Sequence, residues 1–148
     1  MYSLYQNVVS KEECEEWIKH IEEQAIQYKK ETVDFKSNDW NPELSNLLAN
    51  RVEKDLGSGR ITFVKYTENS NGIARHIDLI RENNVVKTGI VYLNDVEEGH
   101  TVLYLPDNSI VRIQPRRGNV LIFDVSLPHE GLPPKGKKYI LIFRIKSI

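Results

Sequence analysis

The sequence predicts a mainly β protein, a sandwich or barrel of short strands backed by two N-terminal helices. Two observations predict this class. Apolar residues recur at helical spacing in residues 10–56, whereas from Arg60 onward they alternate with polar residues. Turns rich in Asn, Gly, Asp and Pro separate these alternating segments at short intervals. Helices followed by a series of strands indicate this class rather than alternating βα units.

The composition is that of an ordinary globular domain. A chain of 148 residues with 40% hydrophobic and 28% charged residues can build one core without disulfides. We therefore expect one domain over residues 1–148, with helical support from 1–59 and a β core from 60–148. The single cysteine, Cys14, allows no intrachain disulfide, and neither a signal peptide nor a membrane-length apolar run is recognised. These features predict a cytoplasmic protein without a membrane partner.

Charge is unevenly distributed along the chain. Residues 1–59 contain seven basic and twelve acidic residues, whereas residues 101–148 contain eight basic and three acidic ones. The C-terminal excess predicts contact with anions. Because the basic residues are not massed with aromatic ones, we do not expect a nucleic-acid partner.

Each predicted helix begins with a capping signal. Ser10 precedes Glu13 by three residues, which is a capping box, and Asn41 precedes Pro42 at the first helical position. The sequence "GSG" at 57–59 is expected to end the second helix. The apolar faces predicted to pack on the core are Cys14, Trp17, Ile18, Ile21, Ala25 and Tyr28 in the first helix, and Leu44, Leu47, Leu48, Val52 and Leu56 in the second.

Seven strands are predicted from alternation with period two. They are "RITFVKYT" (60–67), "ARHIDLI" (74–80), "VVKTGIVYLN" (85–94), "HTVLYLP" (100–106), "SIVRIQP" (109–115), "NVLIFDV" (119–125) and "KKYILIFRI" (137–145).

The strand around residue 76 carries chemistry. His76 and Asp78 lie on one face, about 6.6 Å apart along the backbone, while Ile77 and Leu79 are expected to face apolar surroundings. A His–Asp hydrogen bond on a solvated sheet is the simpler interpretation of so short a motif. A metal site needs a third ligand, and His129, held between prolines after the strand "NVLIFD", could supply it. Two histidines and a carboxylate suit non-haem Fe(II), although zinc accepts the same ligands.

Lys138 opens the last predicted strand on the face it shares with Ile140, Ile142 and Arg144. A lysine among isoleucines is costly to bury unless it is paired, so an anionic cosubstrate is a natural partner. The alternative is a lysine at a strand edge whose ammonium group reaches solvent.

In this order the residues resemble the 2-oxoglutarate- and iron-dependent oxygenases of the prolyl-4-hydroxylase-like family. The similarity runs from "VVSKEECEEWI" to the last strand. It includes Y-x9-H-x-D (residues 66–78), "VYLND", "EGHT", P-x2-G-x4-F (residues 115–123), His129 and Lys138. The chain departs from the family in having Gly99-His100-Thr101 where Gly-Gly-Thr is common, and Lys138 where some relatives have arginine.

The resemblance implies a double-stranded β-helix, the jelly-roll or cupin-like fold, in which His76, Asp78 and His129 bind Fe(II). It also implies that Lys138 binds the distal carboxylate of 2-oxoglutarate and that Tyr92 and Tyr66 line the cosubstrate pocket. As plain sequence, either tyrosine could be an ordinary core aromatic. The implied reaction is hydroxylation of a C–H bond with O₂, releasing succinate and CO₂. The leading substrate is a prolyl residue of a peptide or protein, and the family admits ascorbate as an additional cofactor.

Three alternatives stay open at this point. The chain could act on another residue or on a small molecule, or be a cupin-like binding module without catalysis. It could also be a zinc-dependent hydrolase with Glu130 as general base.

Residues 31–41 and the turn 67–72 lack apolar periodicity and flank the elements that lead to the metal strand. We expect both to move at the mouth of the site. Asp39 and Trp40 are predicted substrate contacts, and Arg144 is expected to reach substrate or cosubstrate. Alternatively, Trp40 packs against the second helix, as the residue before a helix cap often does.

Overall fold

A computed structural model of the protein describes residues 1–78 and 84–147. Within these residues the chain forms two helices and ten strands. In chain order they are β1 Tyr2–Tyr5, α1 Lys11–Gln27, β2 Phe35–Trp40, α2 Pro42–Glu53, β3 Leu56–Tyr66, β4 Ile73–His76, β5 Val85–Tyr92, β6 Thr101–Tyr104, β7 Ile110–Ile113, β8 Val120–Asp124, β9 His129–Gly131 and β10 Lys138–Lys146.

The strands form two antiparallel sheets. The major sheet has six strands in the order β1-β8-β5-β10-β3-β2, and the minor sheet has four in the order β4-β9-β6-β7. Most neighbours in both sheets are distant in sequence, which is the connectivity of a jelly roll. The predicted mainly β fold backed by two helices is confirmed.

Both helices begin where their capping signals predict. Ser10 and Glu13 form the complete capping box of α1, and the Asn41 side chain accepts a hydrogen bond from the Leu44 backbone N–H at the start of α2. However, α2 ends at Lys54, which adopts a left-handed conformation with φ of 55°, and "GSG" lies inside β3 instead. Of the predicted apolar faces, three members are exposed: Tyr28, Leu47 and Leu56.

Residues 1–59 contribute more than helical support, which corrects the predicted division of the chain. Strands β1 and β2 form the two edges of the major sheet, and neither was predicted. The sequence of β2, "FKSNDW", has weak strand propensity and is held by pairing along its length with β3. The segment 31–41, expected to be a mobile loop, therefore contains an edge strand.

The major sheet separates two hydrophobic clusters. One lies beneath α1 and α2 and includes Ile61, Phe63, Leu141 and Phe143. We call this the helix side of the sheet. The other lies between the sheets and consists of Val64, Tyr66, Ile90, Tyr92, Leu103, Ile113, Leu121, Phe123, Leu127 and Ile140. We call this the cavity side.

In the described residues, neither helix has the length and apolar character needed to cross a membrane. Cys14 is a free, buried thiol, and burial raises its pKa to about 11.

Candidate metal and cosubstrate site

Three side chains predicted to bind a metal meet at one point on the cavity side. Ligand atoms of His76, Asp78 and His129 all lie within 4.8 Å of one another. Asp78 Oδ1 is 3.5 Å from His76 Nε2 and 3.4 Å from His129 Nε2. The register of the minor sheet brings the histidines together, because His76 at the end of β4 pairs with His129 at the start of β9.

Asp78 reaches this point after the chain has left the strand. Strand β4 ends at His76, and the Asp78 backbone N–H donates to the Val125 carbonyl at 3.0 Å. The strand predicted over 74–80 therefore ends earlier than expected, at His76. Leu79 lies outside the described residues. The expectation that Ile77 faces apolar surroundings is wrong, since Ile77 is 45% exposed.

Backbone carbonyl groups orient both imidazole rings. His76 Nδ1 lies 2.7 Å from the Ala74 carbonyl oxygen, and His129 Nδ1 lies 2.8 Å from that of Leu127. An N–H on Nδ1 that donates to these oxygens leaves the Nε2 lone pairs directed at the common point. Two donors each about 2.1 Å from a metal lie about 3 Å apart when they meet it at a right angle. The two imidazole nitrogens and the carboxylate oxygen, at this spacing, thus fit an Fe(II) ion with all three protein donors on one side of it.

The second oxygen of Asp78 is occupied by protein donors. Asp78 Oδ2 accepts hydrogen bonds from Thr88 Oγ1 at 2.6 Å and from Arg144 Nη1 at 2.8 Å. Burial would raise the pKa of this carboxyl, but the neighbouring His129 ring, the hydrogen bond from Thr88 and the charge of Arg144 outweigh burial and hold the pKa well below its usual range. Asp78 is therefore ionised and ready to bind a cation.

Lys138 lies in the same cavity, which has a volume of about 110 Å³. Its ammonium group donates to the Gly99 carbonyl at 2.7 Å and lies 5.4 Å from the centre of the Tyr66 ring. Burial lowers the pKa of Lys138 to about 8. No carboxylate in the described part of the chain pairs with this lysine.

The two predicted tyrosines occupy different positions. Tyr66 lines the cavity, and burial raises its pKa. Tyr92 is fully buried behind Thr101, with its hydroxyl 2.7 Å from Thr101 Oγ1, and it is Thr101 that lines the cavity. Sequence reasoning missed Thr88 and Thr101, because a threonine in a strand carries no signal of its own.

The two predicted substrate residues of β2, Asp39 and Trp40, lie on opposite faces of the major sheet. Lys36 and Trp40 pair with Val64 and Arg60 of β3, so their side chains belong to the cavity side. Asp39 alternates to the helix side, where its carboxylate lies 3.7 Å from His20 Nε2. Trp40 is 72% exposed, and its ring covers Gly59 so closely that a Cβ there would lie 2.5 Å from it. Lys36, which was not predicted, lines the metal cavity.

The turn 67–72, expected to move at the mouth, is tied to the start of β2. Asp34 accepts hydrogen bonds from the Thr67 backbone N–H at 2.9 Å and from the Ser70 hydroxyl at 2.7 Å. Ser70 is buried. These contacts argue against free movement of this turn.

Comparison with solved structures supports the fold over nearly the whole chain. The chain is similar to a Pseudomonas putida prolyl-4-hydroxylase, with a TM-score of 0.72 and 15% identity, covering 99% of this chain and 92% of that one. It is also similar to a Trichoplax adhaerens prolyl hydroxylase in complex with a hypoxia-inducible-factor peptide, with a TM-score of 0.71, 17% identity, and coverage of 98% and 83%. A viral collagen prolyl hydroxylase from Paramecium Bursaria Chlorella virus-1 gives a TM-score of 0.70, 17% identity, and coverage of 99% and 96%.

No curated protein sequence is significantly similar to the chain. The model of the 2OG-Fe(II) oxygenase superfamily, however, matches residues 61–145, more than half of the sequence. Those residues include His76, Asp78, His129 and Lys138. The chain therefore belongs to the 2OG-Fe(II) oxygenase superfamily and is a dioxygenase that uses Fe(II) and 2-oxoglutarate.

Proposed function

We propose that this dioxygenase hydroxylates a prolyl residue of a peptide or protein and converts 2-oxoglutarate to succinate and CO₂. The observation that carries the proposal is one cavity that holds both the His76–Asp78–His129 cluster and the buried cation Lys138. The prolyl specificity is supported by the prolyl hydroxylases among the structural neighbours.

In this proposal the Nε2 atoms of His76 and His129 and the Oδ1 atom of Asp78 would hold Fe(II), which would supply activation of O₂. The chain's own contribution is geometric: backbone carbonyls fix the His76 and His129 rings, and Thr88 and Arg144 fix the carboxylate.

Lys138 binds the distal carboxylate of 2-oxoglutarate in the proposed complex. A buried ammonium group whose protein partner is a neutral carbonyl gains a charge-assisted bond when a carboxylate arrives. Tyr66 and Thr101 line the cavity and could orient the rest of the cosubstrate, while Ile140 and Ile142 provide apolar walls that limit access of water.

The substrate would enter from the open cavity side. The sheet edge there presents Trp40 and Lys36, which suit an extended polypeptide better than a small molecule. We retain a cytoplasmic location as part of this proposal, since the buried thiol of Cys14 needs no oxidising compartment.

A zinc-dependent hydrolase receives less support from these contacts. Its general base would be Glu130, but that carboxylate accepts a hydrogen bond from the Tyr104 hydroxyl. A base engaged in this way is less available to activate water.

The decisive experiment compares Fe(II) with Zn(II). The protein is incubated with 2-oxoglutarate, O₂, ascorbate and a panel of proline-containing peptides, and succinate and peptide mass are measured. We expect succinate with Fe(II) alone, coupled to a gain of one oxygen atom on proline. Succinate without peptide oxidation would refute the prolyl assignment, and no succinate with any metal would refute catalysis.

Trp40→Ala tests the substrate side. Because Trp40 is 72% exposed and is not among the described residues that line the cavity of His76, Asp78 and His129, we expect a loss of about tenfold in peptide hydroxylation with nearly unchanged uncoupled turnover of 2-oxoglutarate. The matched control is Tyr28→Ala, an exposed aromatic at the end of α1. Equal loss of both activities, or unfolding, would instead assign Trp40 a structural role.

A further inference from the structure

We propose that Arg144 is a positioning residue that makes Asp78 a one-oxygen metal ligand. The inference rests on the proposed metal role of Asp78 and adds to it a function for the residue expected to contact substrate or cosubstrate.

The register of the major sheet creates the arrangement. Arg144 of β10 lies directly opposite Thr88 of β5, so the two side chains leave the sheet together on the cavity side. Arg144 Nη1 donates to both Thr88 Oγ1 and Asp78 Oδ2, and Thr88 Oγ1 itself donates to Asp78 Oδ2. The three hydrogen bonds form a closed triangle, and two of them end on Asp78 Oδ2.

The two oxygens of Asp78 have different environments as a result. Oδ2 receives two donors from the protein, one of them a permanent cation, whereas Oδ1 faces the Nε2 atoms of both histidines at 3.5 and 3.4 Å. Rotation that brought Oδ2 to a metal would break a charge-assisted bond at 2.8 Å. Arg144 and Thr88 thus reserve one coordination position that a two-oxygen carboxylate would occupy.

Arg144 is poorly placed to bind substrate directly. Its side chain is only 18% exposed, and its Nη1 already donates to Asp78 and Thr88. Arginine can hold both acceptors because its donors lie in a rigid plane, which a lysine ammonium group cannot reproduce. The contact joins β10 to the metal cluster across 66 residues of sequence.

The test is an anaerobic titration of the metal-free protein with Co(II), followed by visible absorption. Arg144→Ala should weaken Co(II) binding about 10- to 100-fold, because the Asp78 carboxylate loses the donor that orients it towards the metal. The absorption spectrum should change as well, because the carboxylate is then free to rotate. Thr88→Val should act in the same direction with a smaller loss. The double variant should lose less than the product of the two losses, since both side chains act on Oδ2.

Arg112→Ala, an exposed arginine on β7 of the minor sheet, is the matched control and should bind Co(II) as the wild type does. Unchanged or tighter binding by Arg144→Ala, or independent effects of the two substitutions, would overturn the inference. If Arg144→Ala does not fold, Arg144→Lys replaces it, and wild-type affinity and spectrum in that variant would overturn the inference equally. Failure of the wild type to bind Co(II) would instead refute the proposed metal site.

Discussion

Two buried lysines on opposite faces of the major sheet show how differently the protein treats its two sides. At neighbouring positions of the β10–β3 pair, Lys138 lies opposite Tyr66 and Tyr139 lies opposite Lys65. Lys65 is fully buried on the helix side, where its ammonium group bonds to the Glu22 carboxylate at 3.0 Å and to the Glu31 carbonyl at 2.9 Å. The Tyr139 hydroxyl donates to the same carboxylate of Glu22.

Lys138 is almost as deeply buried, with 4% of its surface exposed, yet its hydrogen-bond acceptor is the neutral Gly99 carbonyl. On the helix side the protein neutralises its buried cation with its own carboxylate. On the cavity side no carboxylate of the described residues takes that position, which is the arrangement expected where an anionic ligand binds. A buried lysine with an internal partner therefore supports the fold, whereas one without a carboxylate partner in the described residues indicates a binding site.

The largest effect is expected from removing a metal ligand on the cavity side. His76→Ala should reduce metal binding and succinate formation to background, since one of three protein ligands is lost. Its side chain is 39% exposed, so the free energy of unfolding should change by less than about 1 kcal/mol. His20→Ala, on the helix side, is the control and should keep full activity. Retained Fe(II)-dependent turnover in His76→Ala would contradict the assignment of function to the cavity side and of structural support to the helix side.

Lys65→Met should destabilise the fold by about 3 kcal/mol, because it leaves the Glu22 carboxylate without its cation. The measurement is urea unfolding at neutral pH. Lys19→Met, an exposed lysine on the same helix as Glu22, should change stability little. If Lys65→Met were as stable as the wild type, the helix-side pair would not have the structural role assigned to it.

Lys138→Met should give the opposite pattern. We expect 2-oxoglutarate binding to weaken by about 2 kcal/mol, or about 30-fold, because a charge-assisted bond is lost. The free energy of unfolding of the ligand-free protein should stay the same or increase slightly. Calorimetric titration with Mn(II) in place of iron measures the affinity. Lys135→Met, an exposed lysine paired with Glu98, serves as control. Unchanged affinity in Lys138→Met would refute its role.

The smallest effect is a pH dependence. Burial lowers the pKa of Lys138 to about 8, so its ammonium group is charged below that pH and neutral above it. Affinity for 2-oxoglutarate should therefore fall by up to tenfold per pH unit above about pH 8, with uptake of a proton on binding. The decline should vanish in Lys138→Arg, because a guanidinium group stays charged. An identical decline in that variant would assign the titration to another group.

The sequence predicted the parts of the fold that depend on local signals. The capping signals at Ser10 and Asn41 located both helix starts, and period-two alternation located most of the long strands. Strands β1, β2 and β9 were missed because they are short or polar. They are held by pairing with other strands: β1 with β8, β2 with β3, and β9 with β4 and β6. Propensity carries little information about such edges.

In the candidate site, too, local sequence signals were enough for some residues, whereas others depend on strand pairing. Motif spacing was enough to select His76, Asp78 and His129, which the structure brings together. The contact between Arg144 and Asp78 depends on the register of β10 against β5 and on a chain that leaves β4 before Asp78. Neither the register nor the end of β4 can be read from a local sequence pattern. The sequence therefore suggested that Arg144 reaches substrate or cosubstrate, whereas in the structure it contacts the Asp78 carboxylate.

The position of β10 has a consequence for folding. It lies at the centre of the major sheet, between β5 and β3, although it is synthesised after both. While the ribosome makes the preceding strands, β3 and β5 must remain with unpaired edges, and pairings over such sequence distances form slowly. Because β10 also carries Lys138 and Arg144, the cavity lacks both of these cations until the sheet is complete. Folding and the capacity to bind the cosubstrate should therefore arise in a single late event.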